Sequence, residues 1–199
     1  MKRLSLLLVM IITVCAAFAG IDEYYTFNAT SGTYTPIVGT NANISSDDAI
    51  SGAIPIGFSF PYGDYIYTEV KISSNGWIGL GTSQTGSNLT NNLASTSYVP
   101  IVAPLWDDCS LASGSCEYLV SGTAPNRIFT IQYTNLKWRY GATTFFNLQV
   151  RLYENGKIDF VYGSSTGDPN TPSASIGINM LPGGSGWFYS ITPGTPATA

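Results

Sequence analysis

The chain contains no histidine, and this absence removes most of the common catalytic chemistry. Histidine is the usual general base, the usual partner of a nucleophilic serine or cysteine, and the main protein ligand of catalytic zinc and iron. No phosphate-binding glycine loop or dinucleotide fingerprint is present either. We therefore expect a protein that is not an enzyme and that has no cofactor, apart from a calcium ion considered below.

A pair of carboxylates is the one catalytic arrangement that the composition leaves open, because a glycosidase needs only two acids across a cleft. Twelve Asp and Glu residues allow many such pairs. The most visible pair, Asp107 and Asp108, consists of neighbours in an extended segment, where successive side chains point to opposite sides. A carboxylate-pair glycosidase therefore stays only as an alternative.

Positive charge is also scarce, with eight Lys and Arg residues against twelve acids. Two of the eight, Lys2 and Arg3, lie in the predicted signal peptide described next, so the remaining chain has a net charge of −6. An acidic domain repels the phosphate backbone and anionic lipid headgroups. Nucleic acid and membrane surfaces are therefore not expected as partners.

Long hydrophobic runs are missing except at the N-terminus. A cationic start precedes the apolar run Leu4–Ala16, and small residues follow at Ala17 and Ala19, the positions that a signal peptidase reads. This pattern predicts a removable signal peptide, residues 1–19, and a secreted protein that is extracellular or on the cell surface. Membrane contact is then expected only through the transient signal peptide.

Two other interpretations of the N-terminus stay open. A transmembrane anchor needs about 20 apolar residues, and the polar residues Asp22 and Glu23 follow too soon for that length. A lipoprotein would carry its lipid on Cys15, but Val14 before it is larger than the small residue that such sites usually have.

The composition favours strands and turns over helices, since it is low in Lys and Glu and rich in Tyr, Thr, Ile, Gly and Ser. Short apolar segments separated by turn residues predict an all-β fold, an antiparallel β-sandwich of jelly-roll type. We expect a single domain at residues 20–191 and a linker or tail at 192–199. The predicted strands are Glu23–Asn28, Ile54–Phe60, Tyr65–Ser73, Trp77–Leu80, Ile101–Trp106, Glu117–Ser121, Arg127–Leu136, Thr143–Tyr153, Lys157–Tyr162, Ser175–Asn179 and Trp187–Ile191.

The turn around Asn155 and Gly156 has two candidate registers. A two-residue loop would mix charged and apolar side chains on each face of the hairpin, whereas a three-residue loop with Gly156 as a left-handed bulge separates them. Because a one-residue slip turns a whole strand over, the apolar pattern favours the three-residue loop. The predicted pairs are Leu152 with Ile158, Arg151 with Asp159, Val150 with Phe160 and Leu148 with Tyr162.

Two segments are candidates for ligand binding. Thr82–Ser97 consists mainly of Ser, Thr, Asn and Gly, which predicts a long polar loop, and loops on rigid scaffolds often carry binding residues. The second segment, residues 137–141, breaks the strand alternation. Its aromatic rings could stack on a sugar, although such rings more often fill a β core. The candidate ligand-binding residues are Asn88, Asn91, Asn92, Trp138, Arg139 and Tyr140.

Cysteine is rare, and only Cys109 and Cys116 lie beyond the predicted signal peptide. The small residues of 110–115 could close a short ring between them, and a secreted protein meets conditions that allow disulfides. We therefore predict a Cys109–Cys116 disulfide. A zinc site is the alternative, but two thiolates without histidine do not complete a tetrahedral shell.

Calcium is the inorganic ligand that the composition allows, because it accepts carboxylates and carbonyls without histidine or cysteine. Asp107, Asp108 and Glu117 are the candidate calcium ligands, and Asp47 and Asp48 are further donors. No loop motif of fixed spacing supports the site. These acids are therefore also open to a simpler interpretation, as solvated side chains at turns and strand ends.

Four blocks of sequence, taken in order, resemble a β-sandwich module of large bacterial surface and secreted proteins. They are AIPIGFSFPYGDYIYTEVKISSNGWIGLG, VPIVAPLWDD, SGTAPNRIFTIQYTNLKW and FFNLQVRLYENGKIDFVYG. The chain is also similar, more distantly, to the nidogen-type extracellular domain, and the resemblance covers Tyr24–Ile191. It implies no catalytic residues, and it implies turn and core roles for Asn75, Gly76, Trp77, Trp106, Asp107, Asp108, Pro125, Asn126 and Arg127.

Together these observations predict a non-catalytic extracellular domain that binds an extracellular protein, in adhesion or in the assembly of a surface or matrix. The alternative is a carbohydrate-binding module or lectin, with calcium assisting. Its glycan would contact the loop Thr82–Ser97 and the segment around Trp138.

Overall fold

The computed structural model describes residues 20–167 and 173–192. Within these residues the chain forms a single 3₁₀ turn, Ile21–Glu23, and otherwise only strands. The strands are β1 Thr40–Asn41, β2 Ile54–Tyr62, β3 Tyr65–Ser73, β4 Trp77–Leu80, β5 Ile101–Trp106, β6 Ser115–Ser121, β7 Ile128–Lys137, β8 Phe145–Tyr153, β9 Ile158–Thr166, β10 Ser175–Asn179 and β11 Phe188–Ser190.

One predicted strand, Glu23–Asn28, is wrong. Glu23 ends the 3₁₀ turn, and the next residues pair with no strand in the described part of the chain. Tyr25 instead packs its ring against that of Tyr62, with 5.3 Å between the ring centroids. Tyr24 and Tyr25 of this segment pack against the core, whereas Phe27 is 50% exposed, and the segment forms no hydrogen-bonded ladder with a described strand.

The strands form two antiparallel sheets. The five-stranded sheet has the order β1-β6-β7-β8-β9, and the six-stranded sheet has the order β11-β10-β5-β4-β3-β2. Each sheet contains a run of four consecutive strands joined as a meander, and every pairing is antiparallel. The predicted all-β antiparallel sandwich is confirmed.

The β8–β9 hairpin has the predicted register. Leu152 faces Ile158, Arg151 faces Asp159 and Val150 faces Phe160, and Gly156 adopts a positive φ of 90°. Leu148, Val150 and Leu152 are fully buried, so one face of β8 lies in the core as the apolar alternation predicted.

The main core lies between the two sheets. Alternate residues of β2, from Ile54 to Tyr62, point into it, and Phe129, Ile131 and Tyr133 of β7 meet them from the other sheet. The Tyr133 hydroxyl crosses this interface to the carbonyl oxygens of Ser73 and Trp77, at 2.9 and 3.3 Å. Hydrogen bonds from one side chain therefore join the two sheets, in addition to the apolar contacts between them.

A second, smaller core lies outside this interface. It contains Trp77, Leu93, Ile101, Ala103 and Trp106, all fully buried. Leu93 belongs to the long loop between β4 and β5, so that loop packs on the sandwich and is not merely a solvent-exposed connection. The indole N–H groups of Trp77 and Trp106 both donate to the carbonyl oxygen of Asn88 in the same loop.

An extended segment of residues 25–38, which we call the strap, crosses the edge of the five-stranded sheet. The ring of Tyr34 lies against Gly163 of β9. Beyond it, Gln149 Nε2 donates to the carbonyl oxygen of Thr35, and Ile37 N donates to Gln132 Oε1. Gln132 and Gln149 are buried, so the strap covers a polar part of the sheet's outer face.

The predicted signal peptide, residues 1–19, and the tail beyond Thr192 lie outside the described residues. The predicted domain boundaries at both ends stay predictions for that reason. Among the described residues, no helix has the length and apolar character needed to cross a bilayer.

Candidate functional site

The three candidate asparagines in the loop between β4 and β5 form hydrogen bonds within the loop or, for Asn91, to residues at and just before the start of β10. Asn88 Oδ1 accepts from the backbone of Thr90, and Asn92 Oδ1 accepts from the backbone of Ala94. Asn91 Nδ2 donates to Ser173 O and to Ser175 Oγ. These amides shape and anchor the loop, and their contribution to ligand binding stays a prediction.

The three candidate residues of the second segment, Trp138, Arg139 and Tyr140, differ in their exposure to solvent. Trp138 is only 9% exposed and packs against Phe146, with 5.4 Å between the ring centroids. Its ring is therefore part of the core and does not present a flat face to solvent. Arg139 is exposed, and Tyr140 is 69% exposed, so these two side chains remain accessible without the predicted tryptophan platform.

Cys109 and Cys116 are free, fully buried thiols, and the predicted disulfide is not found. The segment between them is not a free ring, because Ser110 exchanges backbone hydrogen bonds with Lys137. Cys109 Sγ points to the carbonyl oxygen of Leu105 at 3.5 Å, and Cys116 is held in the β6 ladder. Burial raises the pKa of both thiols, which makes them poor nucleophiles and poor metal ligands.

The predicted calcium ligands do not all meet. Glu117 lies within β6 opposite Gln132, and its carboxylate is not part of the acidic cluster described below. Asp107 is buried and its carboxylate is already engaged, since Oδ1 accepts from Asp108 N and Oδ2 accepts from Ser173 Oγ. Of the predicted calcium ligands, Asp108 alone belongs to a group of neighbouring carboxylates.

Those carboxylates are Asp47 and Asp48, which the sequence marked as further donors. One oxygen of each of Asp47, Asp48 and Asp108 lies within 4.8 Å of the others. Burial raises the pKa of Asp108, and the negative charges of Asp48, Asp47 and Asp107 raise it further, while Arg139 opposes them. We call Asp47, Asp48 and Asp108 the acidic cluster.

Asn75, at the tip of the β3–β4 turn, adjoins the acidic cluster. It is fully buried, and its Nδ2 donates to Asp48 Oδ1 at 2.8 Å and to Ser87 Oγ at 3.0 Å. Its Oδ1 is buried without a hydrogen-bond partner, and so is Asp47 Oδ1. From the sequence, Asn75 was predicted only to have a turn or core role. Its proximity to Asp48 could not be predicted, because the tertiary fold brings the two residues together.

A groove of about 490 Å³ lies on another part of the surface. It runs between strap residues from Tyr25 to Thr33, the consecutive residues Ile158–Tyr162 of β9, and Ile178, Tyr189 and Ile191 on or beside β10 and β11. Consecutive residues of one strand point to both faces, so the groove follows the open edge of β9.

The groove presents large apolar side chains to solvent. Phe27 is 50% exposed, Tyr162 is 45% exposed and Ile191 is 38% exposed. Exposed apolar patches of this kind often mark binding sites. A more open cavity of about 350 Å³ adjoins the groove and shares Tyr25 and Lys157 with it.

The polar side of the groove is formed by β8 and β9. Lys157 Nζ and Asp159 form an ion pair at 2.9 Å, and the Tyr153 hydroxyl donates to Asp159 at 2.7 Å. The hydrogen bond that Lys157 Nζ donates to Asp159 raises the pKa of Lys157. Arg151 donates to Gln149 Oε1, so it is held in place beside the groove.

The sequence interpretation missed the groove entirely. Phe27 and Tyr162 are far apart along the chain, and the strap carries no periodic pattern that would place it on β9. The aromatic residues Tyr25 and Phe27 of the strap were the one available signal. They were assigned to the predicted strand Glu23–Asn28, which does not form.

The fold and these surfaces define a two-sheet, antiparallel β-sandwich domain. Residues 24–199 match a protein-family model described as NIDO related, and the chain belongs to that family. The resemblance to the nidogen-type domain is thereby confirmed, and the family indicates an extracellular domain. No curated protein matches the chain, and no solved structure matches it either.

Proposed function

We propose that this protein is a non-catalytic extracellular binding domain, acting in adhesion or in surface or matrix assembly, and that the groove along β9 receives its protein partner. The observation that carries the proposal is an open strand edge beside half-exposed apolar side chains. Membership of the NIDO related family supports the extracellular setting.

The open edge of β9 favours a protein partner that supplies an extended segment. β9 is nine residues long and ends the five-stranded sheet, so no strand in the described part of the chain pairs with its outer side. Such an edge offers backbone groups for a further strand, and flanking pockets then select side chains. Phe27 of the strap and Ile191 beside β11 both line the groove and would contact those side chains.

The chemistry of the groove supports a role without catalysis. Among the described residues, Asp159 is the single acidic side chain that lines the groove, and that carboxylate is paired with Lys157 and Tyr153. A glycosidase needs two carboxylates facing one bond. The acidic cluster supplies close carboxylates, but none of its residues lines the groove.

Photo-crosslinking in the cells that produce the protein tests the proposal. The photoreactive residue p-benzoylphenylalanine would replace Phe27 in the groove or, as the matched control, Val38, which lies in the same strap, is 93% exposed and does not line the groove. We expect a covalent adduct from position 27 only, either with another extracellular protein or with a second copy of this chain.

A second substitution links the adduct to the groove. Ile191→Asp places a charge in the groove and should reduce the yield from position 27 severalfold, because burying an unpaired carboxylate in the contact is costly. Equal adducts from positions 27 and 38, or none from position 27, would contradict the proposal.

Carbohydrate binding is the second candidate, and the groove favours it more than the loop segments do. The rings of Phe27 and Tyr189 lie 6.5 Å apart, and Arg151 and Asp159 provide polar groups beside them. Aromatic faces with a few polar groups are typical of sugar sites. A glycan array with and without calcium tests this candidate, and binding should be lost in Phe27→Ala but kept in Val38→Ala. No glycan bound in either condition rules it out.

A further inference from the structure

Three loops meet at one place on the sandwich, away from the groove. Asp47 and Asp48 lie between β1 and β2, Asn75 lies in the β3–β4 turn, and Asp108 follows β5. An isolated bridge between Asp47 and Ser110 joins the first of these loops to the last. Because the loops start from paired strands, their ends are held by the fold and the oxygens converge without a local sequence motif.

The acidic cluster carries negative charge that no ion pair in the described part of the chain balances. The ion pairs found among the described residues join Arg127 to Glu154 and Lys157 to Asp159, and none involves the cluster. Arg139 influences Asp108 electrostatically, but it is exposed and forms no such pair. Carboxylates this close repel one another unless a cation or protons intervene.

Two oxygens at the same place lack partners, which an acidic surface patch alone does not explain. Asp47 Oδ1 and Asn75 Oδ1 are both buried and have no hydrogen-bond partner among the described residues, and leaving such atoms unsatisfied destabilises a fold. Since Asn75 Oδ1 belongs to the amide that donates to Asp48, it lies within a few ångströms of the cluster. Both atoms are uncharged or anionic oxygens with free lone pairs, which are the ligands that a hard cation such as calcium takes.

We propose that Asp47, Asp48, Asp108 and the side-chain oxygen of Asn75 bind a calcium ion. Calcium binds oxygen ligands at about 2.3 to 2.6 Å, so oxygens on opposite sides of one ion lie roughly 5 Å apart, which agrees with the 4.8 Å limit in the cluster. Magnesium prefers a tighter, regular octahedron and retains its waters, whereas three irregular loops suit the variable geometry of calcium.

Thermal unfolding of the purified protein, after chelator treatment, tests the site. A single calcium site at about ten times its dissociation constant should raise the melting temperature of a domain this size by about 3 to 6 °C. Extracellular calcium modules bind at roughly 10⁻⁴ to 10⁻³ M, so calcium chloride is titrated up to about 10⁻² M, ten times the weaker of these dissociation constants. An unchanged melting temperature would overturn the proposal, and an equal shift with magnesium would overturn the assignment to calcium.

Two amide variants separate a metal site from a structural role. Asp108→Asn should melt at a higher temperature than the parent protein in chelator, because repulsion is relieved, and should lose the shift with calcium. Asp48→Asn should lose the shift as well, whereas Asp22→Asn, on the exposed 3₁₀ turn, should retain it. Retention of the full shift in both cluster variants would contradict the assignment.

Discussion

At the scale of single residues, the Arg127 and Glu154 side chains join the start of β7 to the β8–β9 turn. Arg127 Nε donates to Glu154 Oε2 at 2.9 Å, and the Arg127 backbone N–H donates to the same oxygen at 3.0 Å. Arg127 Nη1 also donates to the carbonyl oxygen of Gly57 in the other sheet. The hydrogen bond from Arg127 lowers the pKa of Glu154 to about 2.

This pKa shift predicts a pH dependence of stability. A carboxyl whose pKa is lower in the folded state stabilises the fold above its ordinary pKa, here 4.5, and loses that contribution as the pH falls toward 2. The difference in urea midpoint between the parent protein and Glu154→Gln should therefore be largest near pH 7 and should shrink between about pH 5 and pH 2.

Urea unfolding at several pH values provides the measurement for Glu154. Glu23→Gln is the matched control, because Glu23 is exposed on the 3₁₀ turn, and its midpoint should follow the parent protein throughout. A difference for Glu154→Gln that stays constant from pH 7 to about pH 2 would show that the side chain acts through packing and not through its charge.

At the scale of elements, the β3–β4 turn shows how one glycine fixes a connection. Gly76 has a positive φ of 73°, a conformation that other residues adopt only with strain. A Cβ at this position would lie 2.0 Å from the carbonyl oxygen of Leu105 in β5. The turn therefore needs glycine both for its own geometry and for the close approach of the neighbouring strand.

Gly76→Ala should cost about 3 kcal/mol or more, because strain at positive φ adds to a backbone clash that no rotamer change relieves. Gly86→Ala is the matched control, since a Cβ there meets nothing within 4 Å and should change stability by less than about 0.5 kcal/mol. Thermal unfolding measures both variants. A Gly76→Ala protein that melts with the control would contradict this account of the turn.

At the scale of the whole molecule, the two sheets are held together by burial and by the Tyr133 hydroxyl. This side chain is fully buried in β7, and its hydroxyl contacts carbonyl oxygens of the opposite sheet. Burial raises the pKa of Tyr133 well above the ordinary value, so the hydroxyl stays protonated and can donate. The contact ties the β3–β4 hairpin to the five-stranded sheet.

Tyr133→Phe should lower the stability by about 1 to 2 kcal/mol, because it removes this hydrogen bond while keeping the ring in the core. Tyr140→Phe makes the same chemical change at a side chain that is 69% exposed, and should have little effect. Chemical unfolding followed by fluorescence and by circular dichroism should give one shared transition for each protein. An unchanged stability in Tyr133→Phe, or separate transitions for the two signals, would contradict a cooperative sandwich joined by this hydrogen bond.

Local pattern was enough for most of the strands and for the β8–β9 pairing, but it predicted a strand at Glu23–Asn28 that does not form and it missed the short strand β1. Val150 and Phe160 could be paired in advance, because apolar alternation permits one register and Gly156 permits the turn. The same logic placed β3 and β4 on either side of Gly76. These features depend on neighbours within about ten residues, where the period of two and the turn geometry decide the outcome.

Only the tertiary structure decided what lies on the sandwich surface. Leu93 could be assigned to a polar loop but not to a second core, and Phe27 could not be placed beside Tyr162. Asp47 and Asp108 likewise come together because separate loops end at one side of the sheets. The sequence determined most of the strands, the local register of the β8–β9 hairpin and the absence of histidine chemistry. Long-range packing decided the groove and the acidic cluster, because contacts between distant parts of the chain produce no periodic pattern in the sequence.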